Sequence, residues 1–152
     1  MAVEGEPAPP FTLTDDRGRD VSLADYAGRR LLIYFYPRAF TPGCTTEACD
    51  LRDRHEAFLQ AGWQIVGISP DPPARLARFR EEHHLPFPLL SDPDHRVAGA
   101  YGAWGTKRSY GRETEGIMRS TFAVGPDGRI QAVWRNVRAP GHAEQVASRL
   151  GA

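Results

Sequence analysis

Residues 30–69 read RLLIYFYPRAFTPGCTTEACDLRDRHEAFLQAGWQIVGIS. Two apolar runs bracket an amphipathic stretch. RLLIYFY, residues 30–36, is rich in aromatic and β-branched side chains and stops at Pro37, so it reads as a short strand buried on both faces. WQIVGIS, residues 63–69, reads the same way. Between them, residues 42–61 predict one helix. Pro42 suits a first-turn position, Thr41 can cap, Glu47 lies in the early turns and Gly62 ends the run. Strand, helix, strand is a crossover unit; it should be right-handed, with its two strands parallel.

Outward from this unit, FTLTDDRGRDVSL (11–23) predicts an N-terminal hairpin around an Asp-Asp-Arg-Gly turn. Downstream, DPPARLARFREEHH (71–84) reads as a helix, FPLLSD (87–92) as a strand and PDHRVAGAYG (93–102) as a short helix. RSTFAVGPDGRIQAVWRN (119–136) reads as a hairpin about Gly-Pro-Asp-Gly, and PGHAEQVASRLGA (140–152) as a closing helix. A late antiparallel hairpin joined to a parallel unit makes the sheet mixed. The expected architecture is an α/β sandwich, one domain across residues 1–152.

Composition narrows the function. Nineteen basic residues balance nineteen acidic ones, so no electrostatic footprint argues for nucleic acid or an anionic membrane. No apolar run reaches the ~18–20 residues of a membrane span. MAVEGEPAPPF has neither the basic nor the apolar region of a secretion signal. A cytoplasmic protein with no nucleic-acid or membrane partner is expected. In a reducing cytosol two cysteines are catalytic, sensing or simply buried more often than structural crosslinks.

Both cysteines, Cys44 and Cys49, lie on the predicted helix. Cys44 is the third residue after the Thr41 cap, where backbone N–H groups lack helical partners and the helix dipole is positive. A thiol in that setting ionises more readily than a free cysteine. Cys44, Ala48, Leu51, His55 and Phe58 form a stripe that should face the sheet, whereas Cys49 lies round the helix beside Asp53 and Glu56 and points away. On an ideal helix the two Cα atoms stand roughly 8–9 Å apart; a disulfide tolerates about 7 Å at most. They can bond only if the first turns unwind. Pro42, Gly43 and two threonines make those turns weak. The spacing matches neither C-x-x-C nor a zinc site, and the histidines show no ligand spacing. It suits two sulfurs that act in succession, although passive small hydrophobes would look the same.

YPRAFTPGCTTEACDLRD resembles the peroxiredoxins, in particular their bacterioferritin comigratory protein or Q-type branch. The pattern Pro-x-x-x-Thr-x-x-Cys matches Pro37, Thr41 and Cys44, and the branch's second cysteine matches Cys49. GEPAPPFTL (5–13) is similar to the family's N-terminal entry, and GIMRSTFAVGPDGRI (116–130) to the segment carrying its active-site arginine, here Arg119. Ala39 departs from the acidic residue of many relatives. The resemblance implies a thioredoxin-like fold with an added N-terminal β-hairpin. It also implies a thiol peroxidase acting on hydroperoxides, in which Cys44 is oxidised to a sulfenic acid and Cys49 resolves it as a Cys44–Cys49 disulfide. Thr41, Pro42, Gly43, Cys44 and Arg119 would contact the peroxide, and Pro37 would shape the loop. Thioredoxin or a similar dithiol would restore the thiols. No cofactor or metal is expected, and a monomer is expected.

Other features carry plainer readings. His83 and His84 read as a solvated helix end, His55 as a satisfied histidine and GAYGAWG (99–105) as no phosphate loop. Trp63, Trp104 and Trp134 read as core or groove residues, and Arg75, Arg78 and Arg80 as a solvated face. A peroxide sensor using the same cysteine oxidation, and a general dithiol oxidoreductase, are the competing functions.

Overall fold

The computed structural model describes residues 2–109 and 111–152. A seven-stranded mixed sheet runs through the molecule. In chain order the strands and helices are β1 (Thr12–Asp15), β2 (Asp20–Ser22), β3 (Arg30–Phe35), α1 (Pro42–Asp53), α2 (His55–Gln60), β4 (Trp63–Ser69), α3 (Pro73–Glu82), β5 (Leu89–Ser91) and α4 (Arg96–Tyr101). They continue with β6 (Trp104–Ser109), β7 (Arg112–Ile117), β8 (Ser120–Val124), β9 (Ile130–Trp134) and α5 (His142–Leu150). The order across the sheet is β2-β1-β5-β4-β3-β8-β9. β3 pairs parallel with β4 and antiparallel with β8, and β4 pairs parallel with β5, so the sheet is mixed as expected. The N-terminal β1–β2 hairpin extends the β5 side.

β3 shows why a continuous apolar run was needed. Its side chains alternate between two cores. Leu32 and Tyr34 join Cys44, Ala48 and Leu51 of α1, Phe58 of α2, Leu76 and Phe79 of α3, and Val146 of α5. Leu31, Ile33 and Phe35 join Phe11, Phe122 and Ile130 with Val97, Ala98 and Tyr101 of α4. Helices therefore cover both faces. Tyr34 faces Gly67 across the β3–β4 register. A Cβ on Gly67 would come within 2.7 Å of the tyrosine ring, so this glycine is where the ring crosses the neighbouring strand. Among the described residues no helix is long and apolar enough to cross a membrane.

Two expectations are corrected. The helix predicted over 42–61 is interrupted at Arg54, whose N–H bonds to Leu51 O at 3.2 Å before α2 begins. Arg-Asp-Arg-His holds no proline or glycine, so no local breaker marks the jog; it is a tight terminal turn of the 3₁₀ kind, set by packing. The β6–β7 hairpin was not anticipated. It forms a separate two-stranded sheet in which Trp104 pairs with Ile117 and Ser109 with Arg112. From Arg112 to Glu115 it is exposed, so it lacks the apolar alternation that marks a strand in sequence.

Candidate active site

α1 starts where β3 ends. Tyr36 N–H still donates to Ile68 O at 3.1 Å, and the half-buried Pro37 then turns the chain off the sheet. The loop that follows is clamped from α3 and from the turn before it. Ala39 N–H donates to Asp71 Oδ2 at 2.7 Å, and Arg75 Nη2 donates to Ala39 O at 2.8 Å. Arg75 also pairs with Asp71 at 3.2 Å and lies 5.0 Å over the Phe40 ring. Phe40 takes φ of 69°, a conformation unfavourable for a bulky residue, and its ring packs edge-on against Phe79 at 5.1 Å. Arg75, read as part of a solvated face, is instead a strut for this loop: the face of α3 that carries it turns toward the loop, which only the packing of α3 determines.

Thr41 is the N-cap residue, but through its backbone. Its hydroxyl donates to Arg38 O at 2.8 Å and makes no side-chain cap, because the clamped loop brings that carbonyl within reach. Pro42 occupies the first turn and is exposed. The first i→i−4 bond of α1 is Thr45 N–H to Thr41 O, at 2.9 Å, so the amides before it have no helical acceptor.

Cys44 is buried at that helix start, on the sheet-facing stripe with Ala48, Leu51 and Phe58. His55, on the same stripe, is half-buried with its ring 6.1 Å from Phe87; burial lowers its pKa. Arg119, between β7 and β8, reaches the sulfur: its Nη2 donates to Cys44 Sγ at 3.3 Å. Its Nη1 donates to Glu47 Oε1 at 2.6 Å. The arginine backbone is held as well, with Val137 N–H donating to Arg119 O at 2.9 Å. Gly43 leaves the space the guanidinium occupies, since a Cβ there would lie 3.1 Å from Nη2.

Glu47 was not singled out from the sequence. It lies three residues after Cys44, on the same helix face, and that spacing was the available signal. Its side chain is wholly buried. Burial pushes the carboxyl up to about 7, against the opposing pull of Arg119. His142, at the start of α5, is also buried, 2.7 Å from Thr121 Oγ1. Burial first, and then Arg119, hold its imidazole down to about 4. Two titratable groups of opposite habit thus feel one cation.

Cys49 lies on the other side of α1, and both cysteines are free thiols within one unbroken helix. It does not simply face solvent beside Asp53 and Glu56. It is half-buried, with Sγ 3.8 Å from His83 Nδ1, because the end of α3 packs against this face. His83 is correspondingly not a solvated terminus, whereas His84 is exposed.

The family model described as the AhpC/TSA family matches residues 4–133. A putative peroxiredoxin of Mycobacterium tuberculosis is 54% identical over 142 residues, covering 93% of this chain and 90% of that protein. Peroxiredoxin Bcp of Bacillus subtilis is 44% identical over 151 residues, covering 99% and 96%. Among solved structures, a peroxiredoxin Q of Xanthomonas campestris has a TM-score of 0.87 at 38% identity, covering 93% of this chain and 89% of its own. A cysteine-to-serine mutant of the PrxQ of Xylella fastidiosa has a TM-score of 0.92 at 32% identity, covering 99% and 96%. The mixed sheet with helices on both faces is therefore a thioredoxin-like fold of the kind peroxiredoxins share. The chain belongs to the AhpC/TSA peroxiredoxins, a family of thiol peroxidases, in the bacterioferritin comigratory protein or Q-type branch.

Proposed function

We propose that the protein reduces hydrogen peroxide and organic hydroperoxides at Cys44 and is recycled through Cys49 by thioredoxin or a similar dithiol. The observation that carries this reading is the 3.3 Å contact from Arg119 Nη2 to Cys44 Sγ. A guanidinium that cannot lose its proton, set beside unpaired helix amides, surrounds the sulfur with the positive charge in which thiolates form.

The Cys44 thiolate attacks the distal peroxide oxygen. An S–O bond forms, the O–O bond breaks, and the proximal oxygen departs with a proton as water or alcohol. Negative charge shifts from sulfur to that departing oxygen. Donors fixed beforehand lower the barrier most, and Arg119 and the Cys44 N–H are such donors. Thr41 has its proton committed to Arg38 O, so its lone pairs are free to accept from a peroxide O–H. Gly43 and Pro42 bound the opening, and Pro37 with Ala39 and Phe40 sets the loop. The sulfenic acid on Cys44 then condenses with Cys49 once the first turns of α1 unwind, because an intact helix keeps the two apart.

Cys44→Ser should abolish peroxide consumption. Cys49→Ser should still form one sulfenic acid per equivalent of peroxide but lose thioredoxin-driven turnover. Peroxidase activity surviving in Cys44→Ser ends the proposal; undiminished cycling in Cys49→Ser removes the resolving role.

A further inference from the structure

We propose that His83 is the proton acceptor for Cys49, taking the thiol proton so that the second sulfur leaves its seat as a thiolate. The inference rests on the resolving role of Cys49 given above.

The contact is made by elements remote in sequence. Cys49 lies in the second turn of α1 and His83 caps the end of α3, thirty-four positions away, yet Sγ and Nδ1 are 3.8 Å apart, hydrogen-bonding range for sulfur. The imidazole is held from several sides. His83 N–H donates to Phe79 O at 3.2 Å, and its ring packs edge-on to Phe79 at 5.2 Å and 6.4 Å from Phe40. Arg52, one turn beyond Cys49, donates from Nη1 to His83 O at 2.8 Å and so ties the end of α3 to α1. The same Arg52 reaches Asp53 Oδ1 at 3.0 Å through Nε. A ring packed this way presents Nδ1 to the sulfur without having to find it.

The chemistry asks for such a group. The attacking species in disulfide formation is the thiolate. Cys49 is not at a helix start, Arg119 is bonded to Cys44 and Glu47, and Arg52, whose charge the Cys49 sulfur does feel, is held by His83 O and Asp53 Oδ1. Imidazole is the side chain that most often takes a proton near neutrality. In the step proposed, the Cys49 S–H bond breaks and the proton passes to His83 Nδ1. The start of α1 unwinds, Cys49 Sγ attacks the Cys44 sulfenic sulfur, the S–S bond forms and the S–O bond breaks. The Cys49 sulfur is oxidised and the Cys44 sulfur reduced. The released hydroxide takes a proton from solvent, and His83 returns its own to solvent, so the net product is one water.

The test has two arms. In rapid mixing with one equivalent of peroxide, His83→Ala should leave the first phase, sulfenic acid formation, unchanged and slow the second, disulfide formation, by about tenfold to a hundredfold. Added imidazole should restore the second phase in proportion to its concentration, which a merely structural loss would not allow. His83→Gln, which keeps the packing but not the basicity, should be as slow as His83→Ala. The other arm uses Cys44→Ser, in which Cys49 is the sole thiol: adding His83→Gln should lower its rate of alkylation by iodoacetamide at pH 7 by a similar factor. That arm needs no peroxidase chemistry, so it reads His83 even if the peroxidase assignment fails. An unchanged second phase, a loss that imidazole does not restore, or unchanged alkylation each overturns the proposal.

Discussion

The backbone of Gly43 lies against the guanidinium of Arg119: an ideal Cβ on the glycine would stand 3.1 Å from Nη2. Gly43 is the second residue of α1 and does not take a left-handed conformation, so glycine is required there by the arginine and not by the backbone. Gly43→Ala should raise helix stability by up to about 1 kcal/mol while displacing Nη2 from Cys44 Sγ. Thermal unfolding should move upward or stay level as the peroxide rate falls by about tenfold or more. A variant with full activity would show that the guanidinium is not needed where it sits.

Arg119→Lys tests the fork itself. One guanidinium spans Glu47 Oε1 and Cys44 Sγ with separate nitrogens. An ammonium is a point charge and cannot hold both in that geometry. The rate of sulfenic acid formation should fall by about tenfold to a hundredfold, read as the first phase in rapid mixing. Equal rates would mean that net charge alone matters.

Glu47 and His142 should oppose each other in the pH dependence of stability. The Glu47 carboxyl is raised by burial from its ordinary 4.5 to about 7, so the folded protein holds an extra proton between those values. Its contribution is full below 4.5 and is lost as pH rises through about 7. The His142 imidazole is lowered by burial from 6.5 to about 4, so there the unfolded chain holds the extra proton. Its contribution is full above 6.5 and is lost as pH falls through about 4. The windows overlap and the slopes have opposite sign. Unfolding free energy should therefore vary little with pH from these two groups in the parent protein. In Glu47→Gln it should rise with pH between about 4 and 6.5, and in His142→Gln it should fall with pH between about 4.5 and 7. Denaturant titrations at half-unit steps of pH would measure it; parallel curves for the three proteins would contradict the assignment.

Arg75 should matter more than an exposed helix arginine. It pairs with the buried Asp71, donates to Ala39 O and lies over Phe40, whose backbone is strained. Arg75→Ala should cost about 1–2 kcal/mol, and amide exchange should quicken at residues 38–41. A loss below about 0.5 kcal/mol, the usual surface value, would show that the loop holds itself.

Much of this architecture is legible in one dimension because its signals are local. RLLIYFY and WQIVGIS are too apolar to be anything but buried, and both are central strands of the sheet. The stripe from Cys44 to Phe58 marked the inner face of the first helix, and the buried apolar residues of α1 and α2 lie on it, with the buried Glu47 beside it. Glu47 was legible in principle and passed over, because a glutamate in an early turn has an ordinary explanation as a dipole partner. The β6–β7 hairpin was not legible: its strands pair mainly with each other, and residues 112–115 bury nothing. The jog at Arg54 was not legible either, since no residue near it breaks a helix.

The chain's own pattern thus determined the crossover unit, the two flanking hairpins and a sulfur at the start of a helix, because periodicity and capping act over a few residues. Tertiary structure decided which remote side chains meet each sulfur; of these only Arg119 was named from the sequence, and by resemblance, not by pattern. Arg119 is seventy-five positions from Cys44, and His83 thirty-four from Cys49. Side chains so far apart in the chain meet only when the sheet has ordered its strands and the helices have settled on its faces, and no short-range preference encodes that distance.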